Sequence, residues 1–225
     1  MSLAVAFGAL LAGVVVWGLL ARRLTAKPWE RPVSPQEVEG GATFGVPPAK
    51  IGLWAFLAVV TSLFGLFISA YWMRMEHAHG GDWNSIAVPR QLWANTVLLI
   101  LSSAAMQWAR SSINHARADR VRAGLIAGGV FAWAFLAGQL LAWRQLSAAG
   151  YFVASNPAVA FFYLLTAVHG LHLLGGLFVW GRTIVKMARP GVELVDLSLS
   201  VELCTVYWHY LLLVWLVLFA VLLST

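Results

Sequence analysis

The chain has 225 residues, 60% of them hydrophobic and only 11% charged, with a mean hydropathy of +0.78. Soluble domains carry about 45–50% apolar residues and roughly a quarter charged, so this composition excludes a soluble globular protein and indicates a multi-spanning membrane protein. The net charge of +6 would point to nucleic acid in a soluble chain. Here the basic residues report membrane topology instead, and no nucleic-acid partner is expected.

A membrane-spanning helix needs about 20 mostly apolar residues. Six segments qualify in chain order, at 2–20, 51–73, 92–109, 123–143, 158–181 and 203–223. The expected fold is all-α, a polytopic bundle of six transmembrane helices. Residues 1–23 read as an uncleaved anchor, because no basic region precedes the apolar run and its positive charges follow it. Residues 24–50, with Pro28, Pro32, Pro35, Pro47 and Pro48, read as an extended cytoplasmic linker. Residues 51–225 form a five-helix remainder.

Charge sets the expected orientation. Twelve of the fifteen Lys and Arg residues follow the first, third and fifth spans, whereas Arg74, Arg90 and Arg144 face the other side. Basic loops stay inside, so both termini are expected outside and the basic loops in the cytoplasm. All nine acidic residues fall outside the spans, with Glu202 alone touching a boundary. Trp17, Trp54, Trp72, Trp93, Trp108, Trp143 and Trp180 lie near span ends, as an aromatic belt requires. Trp133, Trp208 and Trp215 lie deeper and are expected to pack between helices.

Close helix contacts in lipid use small residues. The fourth span has Gly124, Gly128 and Ala132 at four-residue spacing, with Ala134, Gly138 and Ala142 on a neighbouring stripe; the fifth has Gly170, Gly175, Gly176 and Gly181. Cys204 is the single cysteine, which rules out an internal disulfide or a cysteine-cluster metal site. It reads as a small buried hydrophobe.

The stretch "YLLTAVHGLHLLGGLFVW" carries His169 and His172, three apart and so on one helix face. At 1.5 Å per residue, His172 lies about 12 Å from the inner end of its span and His209 about 9 Å from the start of the sixth. The two are therefore expected at matched depth on antiparallel helices, approaching each other or sharing a polar neighbour. His169 is nearer mid-membrane, and Glu202 falls two turns below His209 on the same face.

Three chemistries compete for these histidines. A bis-histidine haem needs two imidazoles at matched depth and glycines to admit the macrocycle. A proton relay needs titratable groups in succession across the membrane, and the span interiors contain no Asp, Glu, Lys or Arg. Polar clips between helices need only neighbours such as Thr166, Ser102, Ser103 and Tyr207, at about 1 kcal/mol per bond. A transporter is disfavoured, because no span interior carries a proline or an acid. In the loop "MEHAHGGDW", His77, His79 and Asp82 either hold a divalent metal or are simply solvated. No nucleophile–base pair, phosphate loop or carboxylate pair occurs, so no active site is expected in this chain.

Several stretches resemble one family. "FYLLTAVHGLHLLGG", with Thr166, His169, Gly170 and His172, resembles the signature on the penultimate helix of subunit III of haem–copper oxidases. "VELCTVYWHYLLLVW" is similar to that family's final helix at Glu202, Tyr207, Trp208, His209, Val214 and Trp215. "ANTVLLILSS", with Asn95, Thr96 and Ser102, and "WAFLAGQLLAWRQL", around Phe135 and Gln139, are similar to two further helices. The likeness covers about residues 51–223.

The resemblance implies a five-helix core that begins inside and ends outside, in a multi-pass protein of the bacterial plasma membrane. Longer family members place two helices before it, where this chain has one. It also implies a non-catalytic subunit of a respiratory terminal oxidase that reduces O2 to water. The haems and copper would reside in subunit I, with subunit II as a second partner and phospholipid held between the helix groups. The alternatives are an accessory subunit of a nitric oxide reductase, or a b-type haem cytochrome using His172 and His209. The family commonly carries acids where Val60, Ala142 and Leu212 stand here. Without them, the retained Asn95, Gln139, Thr166, His169, Gly170, His172, Glu202, Trp208 and His209 fit packing better than proton transfer.

Overall fold

A computed structural model describes residues 47–78, 83, 89–113, 115, 117–153, 156–189 and 194–224. The expected anchor, most of the linker, His79 and Asp82 lie outside the described residues. Five helices follow one another: α1 (Pro48–Glu76), α2 (Gln91–Ile113), α3 (Ala118–Ala148), α4 (Pro157–Met187) and α5 (Leu194–Leu223). All five are long and apolar enough to cross a membrane, and the chain is an integral membrane protein of all-α class. The described core therefore has five spans, matching the last five expected from hydropathy.

Local chemistry sets several helix ends. Asn156 takes an extended backbone before α4 and accepts the Ala158 N–H at 2.9 Å, with Pro157 at the first helical position. An Asn cap satisfies one of the unpaired N–H groups of the first turn, and proline there gives up a bond that the helix cannot make. At the end of α3, Gly150 adopts φ +84°. Its N–H bonds Ser147 O, and the Tyr151 N–H bonds Leu146 O. That pair of bonds closes the last carbonyls and needs a left-handed residue, which glycine supplies without steric strain.

The helices outrun the apolar runs. α5 begins at Leu194, well ahead of the hydropathy boundary at 203, because Leu197 and Val201 already pack inward there. Helical backbone needs only its own hydrogen bonds, whereas hydropathy reports transfer to lipid. Glu202 is accordingly two turns inside α5 and within the Leu197–Leu223 span, not at a helix boundary.

α2 packs along α3 and against α5, and α4 touches both α3 and α5. A Cβ at Gly124 would lie 2.9 Å from the backbone O of Ala105 and the backbone N of Ala109, so α2 and α3 meet there backbone to backbone. Gly129 leaves room for the Trp180 ring, and Gly176 for Tyr207 and Trp208. Gly175 and Gly181, expected on a packed face, meet nothing within 4 Å. α1 meets its neighbours from Gly52 onward through large side chains: Tyr71 stands edge-on to Phe161 of α4, and Thr61 bonds Tyr210 of α5 at 2.9 Å.

Trp208 and Trp215 are fully buried, as expected, but Trp133 is 54% exposed. It is a neighbour of the buried Ala132 and is rotated about 100° from it, onto the outer side of α3. Trp54, Trp93 and Trp108 are exposed near helix ends, consistent with an aromatic belt. Cys204 is buried and 3.6 Å from Thr183 Oγ1.

Gly124→Ala is expected to force α2 and α3 apart and lower stability by about 1–3 kcal/mol. Gly175→Ala, which has open space, is expected to be neutral or to gain up to about 1 kcal/mol from helix propensity. Thermal unfolding of the two variants in detergent checks the contrast.

Candidate functional site

The interior polar groups of the bundle form interhelix clips built on hydroxyls. Trp208 of α5 donates its indole N–H to Ser102 Oγ of α2 at 2.8 Å, and Ser102 donates onward to the Gly128 carbonyl of α3 at 2.6 Å. Trp215 donates to Thr96 Oγ1 at 3.0 Å, and Thr96 donates to Leu92 O at 2.8 Å. Trp143 donates to Thr166 Oγ1 at 3.0 Å, and Thr166 donates to Phe162 O at 2.7 Å. A hydroxyl has one proton and two lone pairs, so each can quench a carbonyl and still accept an indole. Trp180 reaches the Leu125 carbonyl directly at 2.8 Å. Trp143 and Trp180, expected in the belt, thus turn partly inward.

Asn95 and Gln139 meet as a second motif. Gln91 Nε2 donates to Asn95 Oδ1 at 3.2 Å, and Asn95 Nδ2 donates to Gln139 Oε1 at 3.3 Å. The pair fits because Gly138 leaves room for the Asn95 side chain. Gln139 Nε2 and both ring nitrogens of His169 are buried without a hydrogen-bond partner. His169 instead sits among aromatic rings, with centroids 5.2 Å from Trp215, 5.7 Å from Phe135 and 6.5 Å from Phe64. The expectation of a polar clip fails at this residue.

The other two histidines diverge. His172 Nδ1 donates to its own helix at Val168 O, 2.8 Å away, and its ring packs on Phe64 and Phe56 of α1. Tyr207 donates to the backbone carbonyl of His172 at 2.9 Å. His209 bonds Ser103 through Nδ1 and Gln107 Oε1 through Nε2 at 3.1 Å, both on α2. Tyr207 and His209 are two residues apart on α5 and about 200° around it, so one faces α4 and the other α2. The expected approach or shared polar neighbour of His172 and His209 is therefore not formed. Matched depth sets position along the axes but leaves rotation open, and the bis-histidine haem geometry is not assembled.

Glu202 does share the His209 face and pairs with Arg110 at 3.1 Å. Gly170 has only Leu136 near its open side, at 3.7 Å. At two of the positions where the resemblance implies acids, Val60 and Ala142 are buried apolar packing residues. His77 bonds Met73 O at the end of its own helix, at 2.8 Å. Among the described residues, no group of three or more His, Cys, Asp or Glu side chains could hold a metal. Gln91, Gln107 and Arg110 were not singled out from sequence. Gln107 could have been, as the glutamine inside the 92–109 apolar run.

The fold and this network define an integral membrane helix bundle with polar clips between spans. The family model for cytochrome c oxidase subunit III matches residues 3–224, and the chain belongs to that family. It is 27% identical over 175 residues to a cytochrome c oxidase subunit 3 of Thermostichus vulcanus, covering 76% of this chain and 85% of that protein. It is 25% identical over 179 residues to a cytochrome bo(3) ubiquinol oxidase subunit 3 of Pseudomonas aeruginosa, covering 76% and 81%. A probable cytochrome c oxidase subunit 3 of Mycobacterium tuberculosis is 27% identical over 160 residues, covering 70% and 77%.

Ser102→Ala strips Trp208 of its acceptor and is expected to lower stability by about 1–3 kcal/mol, the cost of an unmet buried donor. His169→Phe removes unmet polar atoms from an aromatic box and is expected to leave stability unchanged or raise it. Unfolding temperatures in one detergent compare them. A His169→Phe loss as large as that of Ser102→Ala would show that the imidazole nitrogens are bonded.

Proposed function

We propose that this chain is a non-catalytic subunit III of a respiratory haem–copper terminal oxidase, stabilising the catalytic subunit in the complex that reduces O2 to water. The observation that carries this reading is the family match across residues 3–224. It is supported by the signature residues themselves: Trp208, Thr166, Asn95 and Gln139 make bonds between helices, as a packing role requires. Relatives named for cytochrome c oxidase and for ubiquinol oxidase each cover 76% of this chain, so the proposal concerns the role the two share.

Subunit III is one chain of a multisubunit oxidase. In our reading, subunit I carries the haems and copper, subunit II is a second neighbour, and phospholipid fills the grooves of the bundle. The complex would sit in a bacterial plasma membrane with the basic loops in the cytoplasm and both termini outside. Residues 1–23 would anchor the chain ahead of the linker. Asn95, Gln139, Thr166, His169, Gly170, His172, Glu202, Trp208 and His209 would set helix register, with no redox or proton-carrying step in this chain.

Gentle detergent purification of the tagged chain from its native membrane tests the reading. A haem–copper catalytic subunit is expected to co-purify, and the separated chain is expected to show no b-type absorption band. Absence of that partner, or a b-type band retained by the chain alone, refutes the proposal.

A further inference from the structure

The turn that joins α2 to α3 folds back on the end of α2. The backbone N–H groups of His115 and Arg117 both reach Ser112 O, at 3.3 and 3.2 Å, and His115 Nδ1 donates to Ser111 O at 2.9 Å. These bonds close a crevice of about 250 Å³ lined by Trp108, Ser111, Ser112, His115, Arg117 and Arg120. Arg117 and Arg120 are three residues apart and so share one side of the start of α3. Trp108 lies 45% exposed beside them, and a tryptophan at a helix end marks the level of the lipid headgroups.

The charge of this crevice is of one sign. Among the described residues neither guanidinium has a carboxylate partner, and no acid lines the space. Ser111 and Ser112 donate their hydroxyl hydrogens to Trp108 O at 3.0 and 2.8 Å, so the donors left for a guest are the guanidiniums. Arg117 is the N-cap of α3 and makes no side-chain cap bond. The unpaired N–H groups of a first turn make that end partly positive, which disfavours cations and attracts an anion. Asp119 is the acid of that first turn, and it does not line the crevice. Two arginines at a helix start are therefore unfavourable by themselves and become favourable once an anion is seated against them. Residues 1–46, with four basic and three acidic residues, carry net positive charge and do not complement the crevice.

We propose that the α2–α3 crevice binds a phosphate group through Arg117 and Arg120. Phosphate, with oxygens on more than one side, accepts from two planar guanidinium forks at once, whereas a carboxylate is saturated by one. The group can arrive as soluble phosphate or as the headgroup of an anionic phospholipid at the level of Trp108. The recognition chemistry is the same for both, and the two arms of the test separate them. A seated phosphate ties the last turn of α2 to the first turn of α3, one turn from the backbone contact at Gly124. The assignment rests on the turn alone and does not depend on the oxidase reading.

The test uses the full chain. In the first arm, labelled inorganic phosphate is dialysed against the chain in detergent, with ionic strength held by chloride. In the second, the chain is taken from vesicles of phosphatidylcholine and phosphatidylglycerol, and retained phosphatidylglycerol is counted by native mass spectrometry. Saturable binding is expected in at least one arm; the first identifies a soluble source and the second a lipid headgroup. Arg117→Gln and Arg120→Gln are each expected to weaken it about ten-fold, the factor for one hydrogen bond to a charged group. Arg122→Gln removes the same charge outside the crevice and is expected to leave binding unchanged. Without phosphate, the unfolding temperatures of the Arg117 and Arg120 variants are expected to be unchanged or raised, because a cation leaves the positive end of a helix. Binding in neither arm overturns the proposal. So does an equal loss with Arg122→Gln, which marks an anion that follows net charge, or a lowered unfolding temperature, which marks arginines that serve the fold and not a guest.

Discussion

An indole N–H buried between helices in a bilayer has no water to bond, so another helix must supply its acceptor. That constraint organises this bundle. Trp208 spans from α5 to Ser102 on α2, which in turn holds the Gly128 carbonyl of α3. Trp215 ties α5 to α2 at Thr96, and Trp143 ties α3 to α4 at Thr166. Lipid tails give little hydrophobic preference for helix–helix over helix–lipid contact. Registers must therefore come from directional bonds and close packing. The bond lengths and the backbone contact at Gly124 show both at work on the same pair, α2 and α3.

The histidines of the family signature do three different jobs, set by rotation about their helices. His169 lies inside an aromatic box with no hydrogen-bond partner. His172 bonds its own helix and packs its ring on α1. His209 is bonded on both sides by α2 and reaches the outer surface. Among them, His169 is buried, His172 half-buried and His209 exposed. Val60 and Ala142 are buried, so these sites contribute packing volume and no charge.

A non-catalytic membrane subunit acts through its faces. The apolar outer side of α4 suits lipid, whereas the α2–α5 seam carries a graded series from the ion pair Arg110–Glu202 to the Gln107–His209 bond. The interior clips hold α2 and α5 together, and so hold that series in one line. The interior clips and the exposed polar series thus share the same two helices, with Trp208 and His209 adjacent on α5.

Hydrophobicity by itself determined the class of the protein and the last five spans, because transfer to lipid is a property of segment composition. Motif spacing determined the family and placed Glu202 and His209 on one face, because helical periodicity is fixed. Tertiary structure decided what composition cannot encode. Helix ends ran past the apolar runs, so Glu202 fell inside α5, and Trp133 turned outward. His172 and His209, expected at matched depth, bond toward different helices. Gln107, the glutamine of its apolar run, became an exposed partner of His209. The helix ends differ because backbone hydrogen bonding does not stop where lipid transfer does; for the other three, a side chain's position along a helix follows from its residue number, but the direction it faces depends on which neighbouring helix packs against it.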